Sequence, residues 1–337
     1  MKKAIIPLGI AAVFCLVGSV VYFSNVSYPS KLEFEGAGGT DETVESLDDA
    51  EAVLSIPAFQ RGGSYYAALS ALEEDPEPAE EGNSVGVEVT GYYNQNGFSE
   101  NRTLLVAQNE KGLIYQYNGT QTSDGTAVTR NMFMAASKYG MFIKFNSIST
   151  VQTSTSDSSE TQQYDEMTST YEKASMDAIK SHCGKWYSTE ITEAHAEEIE
   201  RLSQSMNEDD MIRAYAYGIC ASVSTTYLQQ FMQTVDSNNQ VMAQLQSMVS
   251  ANKDSAEQVS NHVYEFKHQS FDVQLNLSNK TTPVFDLKGS SQRQKITLHH
   301  INNEKVEIVE KADGGDFIDL FGEAIYNAMK SAAESEM

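Results

Sequence analysis

The chain has 337 residues, 40% of them hydrophobic, three cysteines and a formal net charge of −24 at pH 7. That length can bury one large core or two modest ones, and the charge excludes a nucleic-acid binder, which needs a basic stripe against phosphate. The same charge repels an anionic lipid surface, so any hold on a membrane has to come from an inserted segment.

Such a segment opens the chain. Lys2 and Lys3 precede an apolar run from Ala4 to Phe23, about 30 Å long as a helix at ~1.5 Å per residue and enough to cross a bilayer core. Residues 1–24 are therefore expected to be a retained signal anchor, since a cleaved leader wants a shorter run and a small-x-small site. Lysines ahead of the run keep the N-terminus in the cytoplasm and place the body outside the cell membrane. Cys15 lies within the run, but Phe14 before it and Ala12 three places before do not make a lipidation site.

Residues 25–49 carry Pro29, the glycines at 36, 38 and 39 and a crowd of acids, with few apolar groups to bury. They read as an acidic flexible stalk. Residues 50–337 read as one extracytoplasmic domain. Its helical spacing starts with Ala50, Val53 and Leu54 and resumes at Tyr66, Leu69 and Leu72. The acidic stretch 73–83 ends it; without alternating Asp/Asn ligands around a glycine, that stretch is a solvated loop rather than a calcium loop.

A first meander follows. Val85, Val87 and Val89 alternate with polar residues, and strands are expected at 103–107, 112–118, 128–135 and 139–149, with turns at 94–97 and 109–112. A polar connector at 153–163 leads to helices over 171–179, 194–202 and 209–251. Asp236 to Asn239 reads as a turn that splits the last of these. The second meander spans 262–311: Phe271, Val273, Leu275 and Leu277 alternate with Asp272, Gln274 and Asn276, and 305–312 is expected as its closing strand. A helix at 317–329 ends the chain. The expected fold is α+β: a curved antiparallel half-barrel sheet with helices over its concave face.

No HExxH, GxSxG, P-loop or CxxC occurs, and the neighbours His299 and His300 on one strand point to opposite faces, so neither catalysis nor a metal or cofactor is implied. Cys183 and Cys220 lie on the outer side of the membrane, where a disulfide can persist; pairing and two free thiols both remain open. The methionines at 206, 211, 232, 242 and 248 in the helices and 132, 134 and 141 in the strands either fill a core or line an adaptable apolar cavity.

The stretches SYYAALSAL (64–72), YGMFIKFNS (139–147), GKWYSTE (184–190) and FDVQLNLSNKTTPVFDLKGSSQRQKITLHHINNEKVEIVEKAD (271–313), in that order, resemble the lipoprotein-carrier fold of LolA and of the LppX and LprG cell-envelope lipoproteins. The resemblance implies a half-barrel that holds a lipid or lipidated chain between sheet and helices. This chain departs from it in lacking a lipidation site and in its terminal helix. On this reading the ligand is a lipid or other apolar molecule. Val85, Val87, Met141, Ile143, Phe145, Phe271, Val273 and Leu275 line the sheet side of its site. Tyr215, Leu228, Phe231, Met242 and Leu245 face them from the helices. The helical cover at 209–251 is the part expected to move, with hinges near Gly184 and 236–239. The alternative is a non-catalytic envelope structural module, its half-barrel filled by its own side chains, with an envelope protein as partner.

Overall fold

A computed structural model describes residues 43–54, 84–95, 98–109, 112–123, 126–152, 177–301 and 309–335. In chain order these form α1 (Leu47–Leu54), β1 (Ser84–Gln95), β2 (Phe98–Asn109), β3 (Gly112–Ser123), β4 (Thr126–Ser137) and β5 (Gly140–Gln152). There follow a short helical segment at 177–182, then β6 (Trp186–Ser188), α2 (Glu193–Ser203) and α3 (Glu208–Asn252). The chain continues through β7 (Glu257–Ser260), β8 (Val263–His268), β9 (Phe271–Asn276), β10 (Val284–Lys288) and β11 (Gln292–Ile301) to α4 (Phe317–Ser335).

All eleven strands make one antiparallel sheet, in the order β6-β5-β4-β3-β2-β1-β11-β10-β9-β8-β7, curved and not closed. The two meanders are its two halves, joined where β1 pairs with β11 from Ser84↔Ile301 to Tyr93↔Gln292. β1 pairs with β2 and β2 with β3 up to Gln95↔Phe98 and Asn109↔Gly112, at the positions that the sequence marks as turns. The strands of the first meander run to 12 or 13 residues, longer than their apolar runs. Their polar ends continue the ladder because a neighbour is in place to accept them.

Partners across an antiparallel ladder share a face, so the registers define one continuous inner surface. Val89, Leu104, Tyr117, Met132 and Phe145 follow one another across β1 to β5. Ile296, Phe285 and Leu275 continue the same row on β11, β10 and β9. Over this face lie Val44 and α1, Ala216 to Val223 and Leu245 to Val249 of α3, and Phe317 to Tyr326 of α4, in one hydrophobic core.

The opposite face is dry in part, which the one-sided pattern of the strands does not anticipate. Ile114, Phe133, Ala135 and Phe142 pack there with Val309, Trp186 and Ala312. Lys144 lies between the rings of Phe133 and Trp186, 4.7 Å from each centroid. Residues 309–315 are laid along β6 by hydrogen bonds from Gly314 N–H to Trp186 O (2.8 Å) and from Ser188 N–H to Gly315 O (2.8 Å). Among the described residues of the expected closing strand, Val309 to Ala312 are therefore not a strand but a strap across the sheet.

Two other expectations are corrected. The far end of the stalk belongs to the body: Val44 is fully buried, its N–H bonds Lys280 O at 2.6 Å, and Leu47 starts a helix inside the core. The acids hid this, because Glu45, Asp48 and Glu51 face outward to Lys280 and Lys253 and leave only Val44, Leu47 and Ala50 to carry the inward spacing. In addition, α3 is one helix of 45 residues with no turn at 236–239. Both ends of it are anchored in the core, and extending a helix adds one hydrogen bond per residue fixed.

The anchor expected at 1–24 and the helix at 64–72 lie outside the described residues. Among the described residues no helix is long and apolar enough to cross a membrane.

Candidate functional site

The sheet-side residues expected to line a site do share the inner face. Val87, Met141, Ile143, Phe145, Val273 and Leu275 are all buried there, and Phe271 is half-buried against them. From α3, Leu245 joins them at 0% exposure. Tyr215 does not: it is 40% exposed. The inward stripe of α3 runs through Ala216, Ile219, Cys220 and Val223, and one residue of offset turns a side chain by about 100° on a helix. Val85 sits on β1 opposite His300; its side chain, and those of Leu228, Phe231 and Met242 on α3, lie outside the described residues.

The apolar surface has a sharp end. Along β2 the inward series runs Leu104, Arg102, Glu100, and along β3 it runs Tyr115, Tyr117, Gly119, Gln121. Glu100 is 7% exposed. Its carboxylate accepts hydrogen bonds from Tyr117 Oη at 3.2 Å and Gln121 Nε2 at 3.0 Å and pairs with Arg102 at 3.0 Å. Arg130 of β4 donates to Gln121 Oε1 at 3.1 Å. Burial and the neighbouring Glu100 push the Tyr117 phenol well above its ordinary pKa, so it stays protonated as the donor. These residues escaped the sequence reading, although a signal existed: Glu100 and Arg102 stand at the same parity as Leu104, the parity of the dry face.

A second polar centre joins α2 and α4. Thr192 is the N-cap of α2, and its side chain accepts from His195 N–H. Asp316 precedes Phe317 and caps α4, its Oδ1 accepting from Ile318 N–H at 2.8 Å and Asp319 N–H at 3.3 Å. Asp319 returns a bond to Asp316 N–H at 2.9 Å, a reciprocal cap. The other oxygen of Asp316 accepts from Thr192 N–H (2.8 Å) and Thr192 Oγ1 (3.0 Å) and bonds His195 Nδ1 at 2.8 Å. Burial by itself would raise the Asp316 pKa, but the Thr192 and Ile318 amides and the His195 ring outweigh it and hold the carboxyl below its ordinary value.

Ligand-type atoms of His195, Asp316 and Asp319 lie within 4.8 Å of one another. Both Asp316 oxygens are nevertheless already taken by donors, so the cluster acts as a shared cap for two helices. Close by, Tyr187 is 1% exposed and its hydroxyl has no partner among the described residues. Burial, then Asp313, Asp319 and Cys183, raise its pKa to about 12.

Cys183 and Cys220 are free thiols, Cys183 half-buried and Cys220 buried. Burial raises the pKa of both, that of Cys220 to about 12, so neither is poised as a nucleophile. No family model matches the chain, and neither curated proteins nor solved structures give a match.

Proposed function

We propose that the body is a non-catalytic carrier for a lipid or other apolar ligand, held outside the cell membrane by the N-terminal segment and akin in architecture to the lipoprotein-carrier half-barrel. The observation that carries this reading is the inner sheet face, apolar from β5 to β8, with Met132, Met134 and Met141 adjacent on β4 and β5. Unbranched, polarizable side chains suit a ligand of variable shape. The ligand takes its place between this face and α3. The apolar run from Ala4 to Phe23 behind two lysines supports the membrane location.

Native mass spectrometry of the chain after membrane expression tests the reading. An apolar molecule should travel with the protein, and an unliganded mass together with no uptake of fluorescent acyl probes would defeat it.

A second reading is favoured by the packing of Val87, Ile143, Phe145, Leu245, Val273 and Leu275 into one cluster: a filled half-barrel acting as an envelope structural or protein-interaction module. Leu245→Ala separates the two. In a filled core it should cost about 2–5 kcal/mol in a denaturant titration; in a carrier it should cost less and shift the preferred acyl chain length.

A further inference from the structure

The triplet Asn-x-Ser/Thr, with x other than proline, begins at Asn25, Asn101, Asn118, Asn276 and Asn279. In a chain whose body lies outside the membrane, such a triplet can accept an N-linked oligosaccharide where the backbone offers the carboxamide at an accessible bend. Asn25 lies outside the described residues. The fold separates the others. Asn101 of β2 pairs with Tyr92 and Thr120, and Asn118 of β3 with Thr103 and Asn131, so each is held extended in an inner strand with a neighbour on both sides. Asn276 ends β9 between Val263 and Val284, and its Oδ1 accepts from Ser278 N–H at 2.9 Å.

Asn279 is placed differently. It lies between β9 and β10, where a hydrogen bond from Thr282 N–H to Asn279 O at 3.0 Å closes a β-turn with Asn279 in its first position and Thr281 in its third. Residues 278–280 are exposed. The turn brings the threonine back to the asparagine: Thr281 Oγ1 donates to Asn279 Oδ1 at 3.3 Å. Asn279 Nδ2 has no hydrogen-bond partner among the described residues. The two groups by which the triplet is recognised, a carboxamide and a hydroxyl two residues on, thus stand together on an outward tip. That tip is anchored from below, because Lys280 O accepts from Val44 N–H at 2.6 Å and Lys280 Nζ pairs with Glu45. The bend is therefore fixed at the point where the stalk enters the body.

We propose that Asn279 is an acceptor for N-linked glycosylation on the outer side of the membrane. The donor is an oligosaccharide carried on a polyprenyl pyrophosphate. Asn279 Nδ2 attacks the anomeric carbon of the first sugar, and the C–N bond forms as the bond from that carbon to the pyrophosphate oxygen breaks. The lipid pyrophosphate leaves with the electron pair, and one Nδ2 proton passes to a base of the transferase. Nothing is oxidised or reduced. This inference rests on the outward location of the body and is independent of what the body carries.

In the test, the full chain is made in a host without the transferase and purified in a non-ionic detergent. It is then incubated with a single-subunit oligosaccharyltransferase and a polyprenyl-pyrophosphate-linked oligosaccharide and mapped by peptide mass. One oligosaccharide should appear on Asn279 and none on Asn101, Asn118 or Asn276. Asn279→Gln and Thr281→Val should each lose it, and Thr281→Ser should keep it. A bare Asn279, transfer to Asn101 or Asn118 in its place, or transfer that Thr281→Val retains overturns the proposal. A second measurement maps the chain taken from the membrane of the cell that makes it, where a sugar is expected on Asn279 and external protease should remove the body. A bare Asn279 on a protease-sensitive body overturns the glycan and leaves the location standing. A body that protease cannot reach overturns both.

Discussion

Asp316 accepts five hydrogen bonds from two helix starts and lies fully buried, so much of the attachment of α2 to α4 passes through one carboxylate. Its pKa is depressed in the fold, which makes its contribution to stability complete above its ordinary value of 3.8 and lost as pH falls through the lower folded value. Thermal melts from pH 7 down to pH 3 should therefore show an acid limb that Asp316→Asn flattens. At neutral pH that variant should already be weaker by about 2 kcal/mol, the scale of hydrogen bonds to a charged group; an unchanged melting curve would remove the carboxylate from this role. Tyr187 gives the opposite case. Its buried hydroxyl has no partner among the described residues, so Tyr187→Phe should be neutral or stabilising by up to about 1 kcal/mol in a urea titration. A loss larger than that would reveal a partner.

At the scale of elements, α3 departs most from local propensity. Asp236, Ser237, Asn238 and Asn239 favour a turn, yet the backbone is helical through them from Glu208 to Asn252. The helix is kept by its ends. Asn207 caps its start, Asp209 bonds Tyr326 and Lys330 of α4 at 2.6 and 2.7 Å, and Lys253 at its end pairs with Asp48 and Glu51 of α1. Asn239→Pro should then cost about 3 kcal/mol or more, as in a helix interior, read as a fall in both melting temperature and far-ultraviolet helicity. A variant that melts like the parent would restore the turn, and with it the hinge.

At the scale of the whole molecule, the junction of β1 and β11 turns two meanders into one sheet. Val87↔Leu298 and Val89↔Ile296 meet across it, all four buried. Neither half therefore has a complete core of its own, and the body should unfold in one transition. Ile296→Ala should lower stability by about 2–5 kcal/mol while leaving unfolding monophasic, with intrinsic fluorescence and circular dichroism coinciding. Two separated transitions would mean that the meanders are independent units.

Much of this was legible along the chain. Alternation in Val85 to Val89 and Phe271 to Leu277 marks strands and faces, because a period of two is a local property of extended backbone. Turn residues at 94–97 and 109–112 mark hairpins, because their loops need only nearest neighbours. The final helix is likewise local. What the tertiary structure decided depends on partners far apart in sequence. The pairing of β1 with β11, the strap of 309–315 over β6, the burial of Val44 and α1 beside Lys280, and the joint cap at Asp316 each link segments whose mutual position no local pattern encodes. The choice among the asparagines is of this kind too. Asn101, Asn118 and Asn279 open the same triplet, and only the ladders that hold the first two extended set them apart from the third in its turn.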